Sequence, residues 1–169
     1  MKETTNNPFA IFERFFVLEW LVAFVLVLIA RLPYLLSDHV FFDGDEAMIG
    51  IMGRDFITGK NLPLYFYGQR YGFSFFEAIA AGIFIPFLGS SVWSLKFGGM
   101  LLFSLGIQRF LQAFRTNQSS TINYLLLAIV LVIFPSWVVW GTKLRGGYLT
   151  AFVCIAFVTE LFLAKSVWI

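Results

Sequence analysis

The sequence predicts an all-α, polytopic membrane protein with about four transmembrane helices and juxtamembrane helices in its first outer loop. Of its 169 residues, 59% are hydrophobic, 20% aromatic and only 13% charged. The mean hydropathy is +0.82, and a soluble domain of this length could not bury so much apolar surface. Several apolar runs are also separated by short polar segments, which is the pattern of a chain that crosses a bilayer repeatedly.

The first element after the polar residues 1–14, which we expect to form a cytoplasmic tail, is the apolar run from Phe15 to Leu36. It is long enough to cross the roughly 30 Å hydrocarbon core, which takes about 20 residues. Glu19 and Arg31 lie near its opposite ends, where long side chains can reach the membrane surface. The run is too long for the apolar part of a signal peptide, and no small-x-small site follows it, so we expect an uncleaved span.

The remaining apolar segments follow a first outer loop at about 37–93. We predict spans at about 95–114, 122–140 and 148–164. Segment 73–89 is apolar but short, and it is either a membrane span or a helix in the interface. We favour the interface, because the loop 141–147 then shares a face with the outer loop; if the segment spans, the loops 115–121 and 141–147 exchange sides.

The composition excludes several functional classes. A net charge of +2 without any Lys/Arg-rich run does not fit a nucleic-acid partner. The single cysteine, Cys154, excludes an intramolecular disulfide and a cysteine metal cluster, and the lone His39 excludes a histidine zinc site. A metal ion would therefore have to be held by oxygen ligands.

The first outer loop concentrates acid in the stretch FFDGDEAMIGIMGRDFITG, residues 41–59. Asp43 or Asp45 can cap a helix, and Glu46 lies where the helix dipole favours negative charge. Apolar residues recur along one face from Glu46 to Ile57, which predicts a helix packed on the membrane surface. One acid would be enough for that structural purpose, and three lie within four positions.

Two roles for these acids remain open. They begin an interfacial helix and do nothing more, or they act on a substrate at the membrane surface. A carboxylate in low-dielectric surroundings is a better general base, because its pKa is raised. Asp43, Asp45 and Glu46 together could also hold a divalent cation that clamps a phosphate.

Two later segments carry further polar side chains. The stretch NLPLYFYGQRYGFSFFEA, residues 61–78, holds tyrosines that form an interfacial belt or stack on a sugar. Its Gln69 and Arg70 are hydrogen-bond donors, and the planar guanidinium suits a phosphate. In GTKLRGG, residues 141–147, the two cations are topology anchors or hold a lipid phosphate together with the N–H groups of the helix that begins there.

A combined motif resembles a known family. D-x-D-E-A from Asp43, followed by L-P-L-x-F-Y-G-Q-x-Y-G-x-x-x-x-E-A up to Ala78, resembles the bacterial protein-mannosyltransferase superfamily, glycosyltransferases of family 39 type with the GT-C fold. LRGGY at 144–148 is similar to the short outer loop that follows the third span in that family. The resemblance extends over about 15–164 and is most specific over 43–78.

The resemblance implies transfer of a sugar from a polyprenyl-phosphate carrier to an extracytoplasmic acceptor, in the bacterial inner membrane. Its partners would be membrane lipid and the lipid-linked sugar. By position, Asp45 matches the carboxylate that accepts the acceptor's proton, with Glu46 beside it. The implied substrate-binding residues are Asp43, Gln69, Arg70, Tyr71, Glu77, Lys143 and Arg145, of which Arg70 matches a phosphate-binding position.

The chain also departs from that family. Members are much longer, and their second outer loop often carries another acid, whereas here no carboxylate follows the glycines before Glu160. We therefore expect residues 15–169 to be the N-terminal membrane module of such an enzyme, apparently truncated. The alternative is a non-enzymatic membrane protein, or an inactive remnant, whose acidic loop is structural.

Overall fold

A computed structural model describes residues 8–116 and 121–166, and within them the chain is helical, as the sequence predicts. The only strand-like pairing there is an isolated antiparallel bridge between Tyr65 and Phe73. The seven helices of this part are α1 (Pro8–Leu35), α2 (Gly44–Ile57), α3 (Phe75–Leu88), α4 (Val92–Thr116), α5 (Thr121–Ile133), α6 (Pro135–Trp140) and α7 (Tyr148–Ser166). Residues 1–7 of the predicted tail and most of the loop 115–121 lie outside the described residues.

Helix α4 is the centre of the fold, and α1, α3, α5 and α7 all pack against it. Two adjacent glycines allow a close approach on one side of this helix. A Cβ at Gly98 would lie 2.7 Å from the backbone nitrogen of Ala81 in α3, and one at Gly99 would lie 2.7 Å from the carbonyl group of Thr142. Helix α3 and the loop 141–147 are thus both held directly against α4, which fixes their relative positions.

Helix α1 contains the segment Phe16–Leu35, which is long and apolar enough to cross a membrane; it is the one candidate span in the described part of the chain. Most of that segment is unburied, and large aliphatic side chains cover its outer face. Helix α3 has 14 residues, which at about 1.5 Å per residue is too short to cross a bilayer core. Its length therefore favours the interfacial interpretation of segment 73–89.

The predicted span 122–140 is not one continuous helix. Phe134 leaves the helical conformation, with φ −56° and ψ 128°, and Pro135 begins the short helix α6. Proline lacks a backbone N–H and disfavours helical geometry in the residue before it, so the run divides at this point.

The expectation that Arg31 extends to the membrane surface is wrong, because its side chain is fully buried. Its guanidinium donates to the carbonyl oxygens of Val27 at 3.2 Å, Val132 at 3.4 Å and Trp137 at 2.8 Å. It also lies 4.5 Å from the ring centre of Phe103. The carbonyl oxygen of Trp137 also accepts from the backbone N–H of Gly141 at 2.9 Å, so the arginine is a second donor to it and links α1 to both α5 and α6.

A second charged contact joins helices within the bundle. Arg109 of α4 lies 3.2 Å from the carboxylate of Glu160 in α7. The same guanidinium lies over the ring of Phe16 in α1, 3.9 Å from its centre. The two charges therefore meet each other between packed helices instead of facing outward singly, which is the arrangement that apolar surroundings require.

Candidate functional site

The acidic stretch forms the start of α2, as the sequence predicts. Asp43 is the N-cap residue, with φ −135° and ψ 178°, and its side chain accepts a hydrogen bond of 3.1 Å from the backbone N–H of Glu46. Asp45 and Glu46 lie in the first turn, where the helix dipole stabilises negative charge. Ile49 and Met52 are fully buried on the inner side of the same helix. The cap and this apolar side fix the direction in which each acid points.

The loop 141–147 meets these acids directly. Lys143 Nζ lies 2.8 Å from Asp43 Oδ2, and Arg145 Nε donates a 2.6 Å hydrogen bond to Asp45 Oδ2. Arg145 Nη1 is also 3.8 Å from Asp43. The loop and the acidic stretch therefore share one face of the molecule, as the interfacial interpretation of segment 73–89 requires.

The two cations of this loop, Lys143 and Arg145, differ in solvent exposure and in how many contacts hold them. Lys143 is only 5% exposed, and its ammonium lies 3.8 Å from the ring centre of Phe41 and 5.3 Å from that of Trp140. Contact with aromatic faces and with Asp43 together holds this ammonium in place. Arg145 is 39% exposed and its partner Asp45 is 42% exposed. Of the two pairs, only Asp45–Arg145 is open to an incoming ligand.

Glu46 does not accompany Asp45 at the surface, so its predicted catalytic role beside Asp45 has to be revised. Its side chain is 0% exposed and pairs at 2.6 Å with Lys96 of α4, which is 1% exposed. Burial raises the pKa of Glu46 more than Lys96 lowers it. Sequence reasoning missed Lys96, although a single charge in the apolar stretch VWSLKFGGM is a signal that a buried partner exists.

The three acids diverge instead of sharing one ligand position. Asp43 faces Lys143, Asp45 faces Arg145 and Glu46 faces Lys96. Burial raises the pKa of Asp43, but Lys143, the backbone N–H of Glu46 and Arg145 together outweigh it and hold that pKa below its usual value. Among the residues that the structure describes, no group of three or more His, Cys, Asp or Glu side chains is arranged to hold a metal ion. The geometry thus offers no support for a divalent cation between these acids.

Glu77 lies at the start of α3 and is fully buried. Its Oε1 accepts a 3.0 Å hydrogen bond from the backbone N–H of Leu149, in the first turn of α7. Burial raises the pKa of Glu77 to about 7, although nearby backbone N–H groups, including that of Gly147, act in the opposite direction. This internal carboxylate occupies the beginning of α7. The expectation that N–H groups from this turn help to bind a substrate anion is therefore wrong.

Gln69, Arg70 and Tyr71 are exposed on the connection between α2 and α3. The side chains of Gln69 and Arg70 form no hydrogen bond or ion pair with the part of the chain that the structure describes. Nearby, a Cβ on Gly72 would lie 3.2 Å from the carbonyl oxygen of Gly146, so the backbones of the two loops touch. The structure brings together Asp43, Asp45, Lys143 and Arg145, but it does not bring Arg70 into contact with them.

A cavity of about 410 Å³ lies between α2, α3 and the start of α4. Its wall is mainly apolar, with Ala47, Ile51 and Leu95 among the lining residues, and Arg54 and Ser91 contribute polar groups. None of the three acids lines it. Sequence reasoning did not select Arg54, which lies in the last turn of α2, where a cation is commonly no more than a complement to the helix dipole.

Comparison with known proteins gave no match to a family model, to a curated protein or to a solved structure.

Proposed function

We propose that this chain is a membrane glycosyltransferase module of the GT-C type, which moves a sugar from a polyprenyl phosphate to an extracytoplasmic acceptor. The observation that carries the proposal is the half-exposed pair of Asp45 and Arg145, 2.6 Å apart. This reaction needs a base for the acceptor's proton and a cation for the departing phosphate at one place. Asp45 and Arg145 supply those two groups.

In the proposed step, the acceptor oxygen forms a bond to the anomeric carbon while the bond from that carbon to the carrier phosphate breaks. Asp45 takes the proton of the acceptor, and the electron pair of the broken bond leaves with the phosphate, next to Arg145. The hydrogen bond with Asp45 raises the pKa of Arg145 before the ligand binds, and a guanidinium keeps its charge near neutral pH even without that partner. The ion pair between Lys143 and Asp43 holds the loop 141–147 against the start of α2.

The surface of the bundle supports a membrane setting with more than one crossing. Large apolar side chains are exposed on α1, α5 and α7, for example Leu26, Ile129 and Phe162. An aqueous protein rarely exposes such continuous apolar faces. We infer that α1, α4, α7 and the α5–α6 pair cross the bilayer and that α2 and α3 lie in its outer interface. The Asp45–Arg145 pair would then lie at headgroup depth, where a lipid phosphate resides.

One observation favours a second candidate, a non-enzymatic membrane protein with a structural acidic loop. Each of the three acids already has a cationic partner, and Asp43 also caps α2. Such pairs would serve to hold the start of α2 against the loop 141–147 and against α4. The two candidates differ in whether Asp45 is needed for chemistry or only for shape.

The deciding experiment places the 169-residue chain in lipid nanodiscs and supplies a panel of prenyl-phosphate sugars with membrane extract as the acceptor source. Release of free prenyl phosphate is the readout. If Asp45 is the base, Asp45→Asn should lower turnover by about 100-fold or more. The matched control is Asp38→Asn, which removes an exposed acid from the same loop and should leave turnover within about two-fold. Undiminished turnover in Asp45→Asn, or no turnover with any donor, favours the second candidate.

A further inference from the structure

We propose that a phosphate ester binds at Arg145 by displacing Asp45, so that ligand binding itself releases the carboxylate from its ion pair. The inference rests on the proposed function for the identity of the ester as a lipid phosphate. The binding event needs no sugar transfer and can be tested without it. It assigns Asp45 a second role, as the built-in competitor of the ligand.

The acids and cations around Asp45 are equal in number. Asp43, Asp45 and Glu46 carry three negative charges, and Lys96, Lys143 and Arg145 carry three positive charges, each pair being 2.6 to 2.8 Å apart. The cluster therefore has no surplus cation for an incoming anion. The first turn of α7 adds no free anion site either, because Glu77 already lies there. An anion that bound without replacing one of these acids would add an unbalanced negative charge to the cluster.

Burial decides which acid is replaced. The Glu46–Lys96 pair is closed to solvent, and Lys143 is held by Asp43 and by two aromatic rings. Asp45 and Arg145 are 42% and 39% exposed, so a ligand can approach this pair without unpacking the fold. An exposed pair is also weak, since water and salt screen it.

The geometry of Arg145 favours the exchange. Its Nε already donates to Asp45, and its Nη1 lies 3.8 Å from Asp43. The guanidinium thus stays near Asp43 after it leaves Asp45, and its fork can present two parallel N–H groups to a phosphate. The released Asp45 carboxylate remains at the same helix start, beside the newly bound ester.

The test measures binding of geranyl phosphate to the full chain in phosphatidylcholine nanodiscs by calorimetry. Asp45→Asn should tighten binding by about three- to five-fold, because the competing carboxylate is gone. Arg145→Gln should weaken binding by about ten-fold or more, and Arg145→Lys should restore part of the loss. Asp38→Asn is the matched control. It removes the same charge from an exposed position and should change affinity by less than about two-fold.

Unchanged or weaker binding of geranyl phosphate by Asp45→Asn overturns the proposal, because it shows that the ligand does not displace Asp45. An equal gain in affinity in Asp38→Asn also overturns it, because the gain then comes from the loss of any negative charge nearby. The double variant Asp45→Asn/Arg145→Gln should bind no more tightly than Arg145→Gln, and a gain there also overturns it. Geraniol, which lacks the phosphate, should show no response to Asp45→Asn.

Inorganic phosphate distinguishes the source of the anion. Tighter binding of geranyl phosphate than of inorganic phosphate identifies a lipid ester, and equal binding removes the lipid from the proposal. A gain in affinity in Asp45→Asn without any sugar transfer would leave this inference standing while the proposed function fails. Sugar transfer by the wild-type chain, without a gain in affinity in Asp45→Asn, would support the proposed function and overturn this inference. Unchanged helical circular dichroism confirms that each variant is folded.

Discussion

Asp45 and Glu46 are neighbours in sequence and belong to the same helical turn, yet they lie in opposite surroundings. Asp45 is half-exposed and meets Arg145, whereas Glu46 is fully buried and meets Lys96. One step along an α-helix rotates the side chain by about 100°, which is enough to move it from the solvent side to the α4 side. Adjacent acids in a motif can therefore have different tasks, one exchangeable and one structural.

The largest expected effect comes from breaking the buried pair. Lys96→Met leaves Glu46 without a partner inside the bundle, so the free energy of unfolding should fall by about 3 to 5 kcal/mol. The double variant Glu46→Met/Lys96→Met removes both charges and should recover most of that loss. Denaturant titration in detergent micelles measures both. A loss of less than about 1 kcal/mol in Lys96→Met would show that Glu46 is not dependent on Lys96.

A medium effect should appear in the pH dependence that Glu77 contributes. Burial raises the pKa of Glu77 from 4.5 to about 7, so between these values the folded chain keeps a proton that the unfolded chain has lost. The stabilisation that protonated Glu77 contributes to the folded state is fully present below pH 4.5 and is lost as the pH rises through 7. Relative to Glu77→Gln, the wild-type chain should lose on the order of 2 kcal/mol of unfolding free energy between pH 5 and pH 7.5. Parallel curves for the two proteins would contradict the burial of this carboxyl group.

The smallest effect should come from the exposed pair. Asp45→Asn should change the free energy of unfolding by no more than about 1 kcal/mol, because solvent screens this contact. The difference should shrink further in 1 M salt, measured by the same titration. A loss as large as that of Lys96→Met would remove the contrast between the two acids.

Much of the helical layout is readable from local pattern. The cap at Asp43 and the apolar recurrence after it predict α2, and the beginning of α7 at Tyr148 follows from the two glycines before a long apolar run. These features depend on residues close together in sequence. The break at Pro135 was missed because the apolar run continues through it, although proline is itself a local signal.

The partner of each charged side chain could not be predicted from the local sequence. Glu46 and Lys96 are 50 positions apart, and Asp45 and Arg145 are 100 apart. The sequence shows that such charges exist in apolar surroundings, but the partner of each depends on which helices pack against α4. Glu77 illustrates the same point, because its carboxylate meets a backbone N–H that belongs to another helix 72 positions later.

The burial of Arg31 has a consequence for how the chain matures. Its guanidinium finishes its bonding with carbonyl oxygens 101 and 106 positions further along, at Val132 and Trp137. When α1 first leaves the ribosome, those acceptors have not been synthesised, so the guanidinium must remain hydrated or find temporary hydrogen-bond partners. Helix α1 can therefore complete its polar contacts only after α6 has been made, so folding of the bundle couples its beginning to its later half.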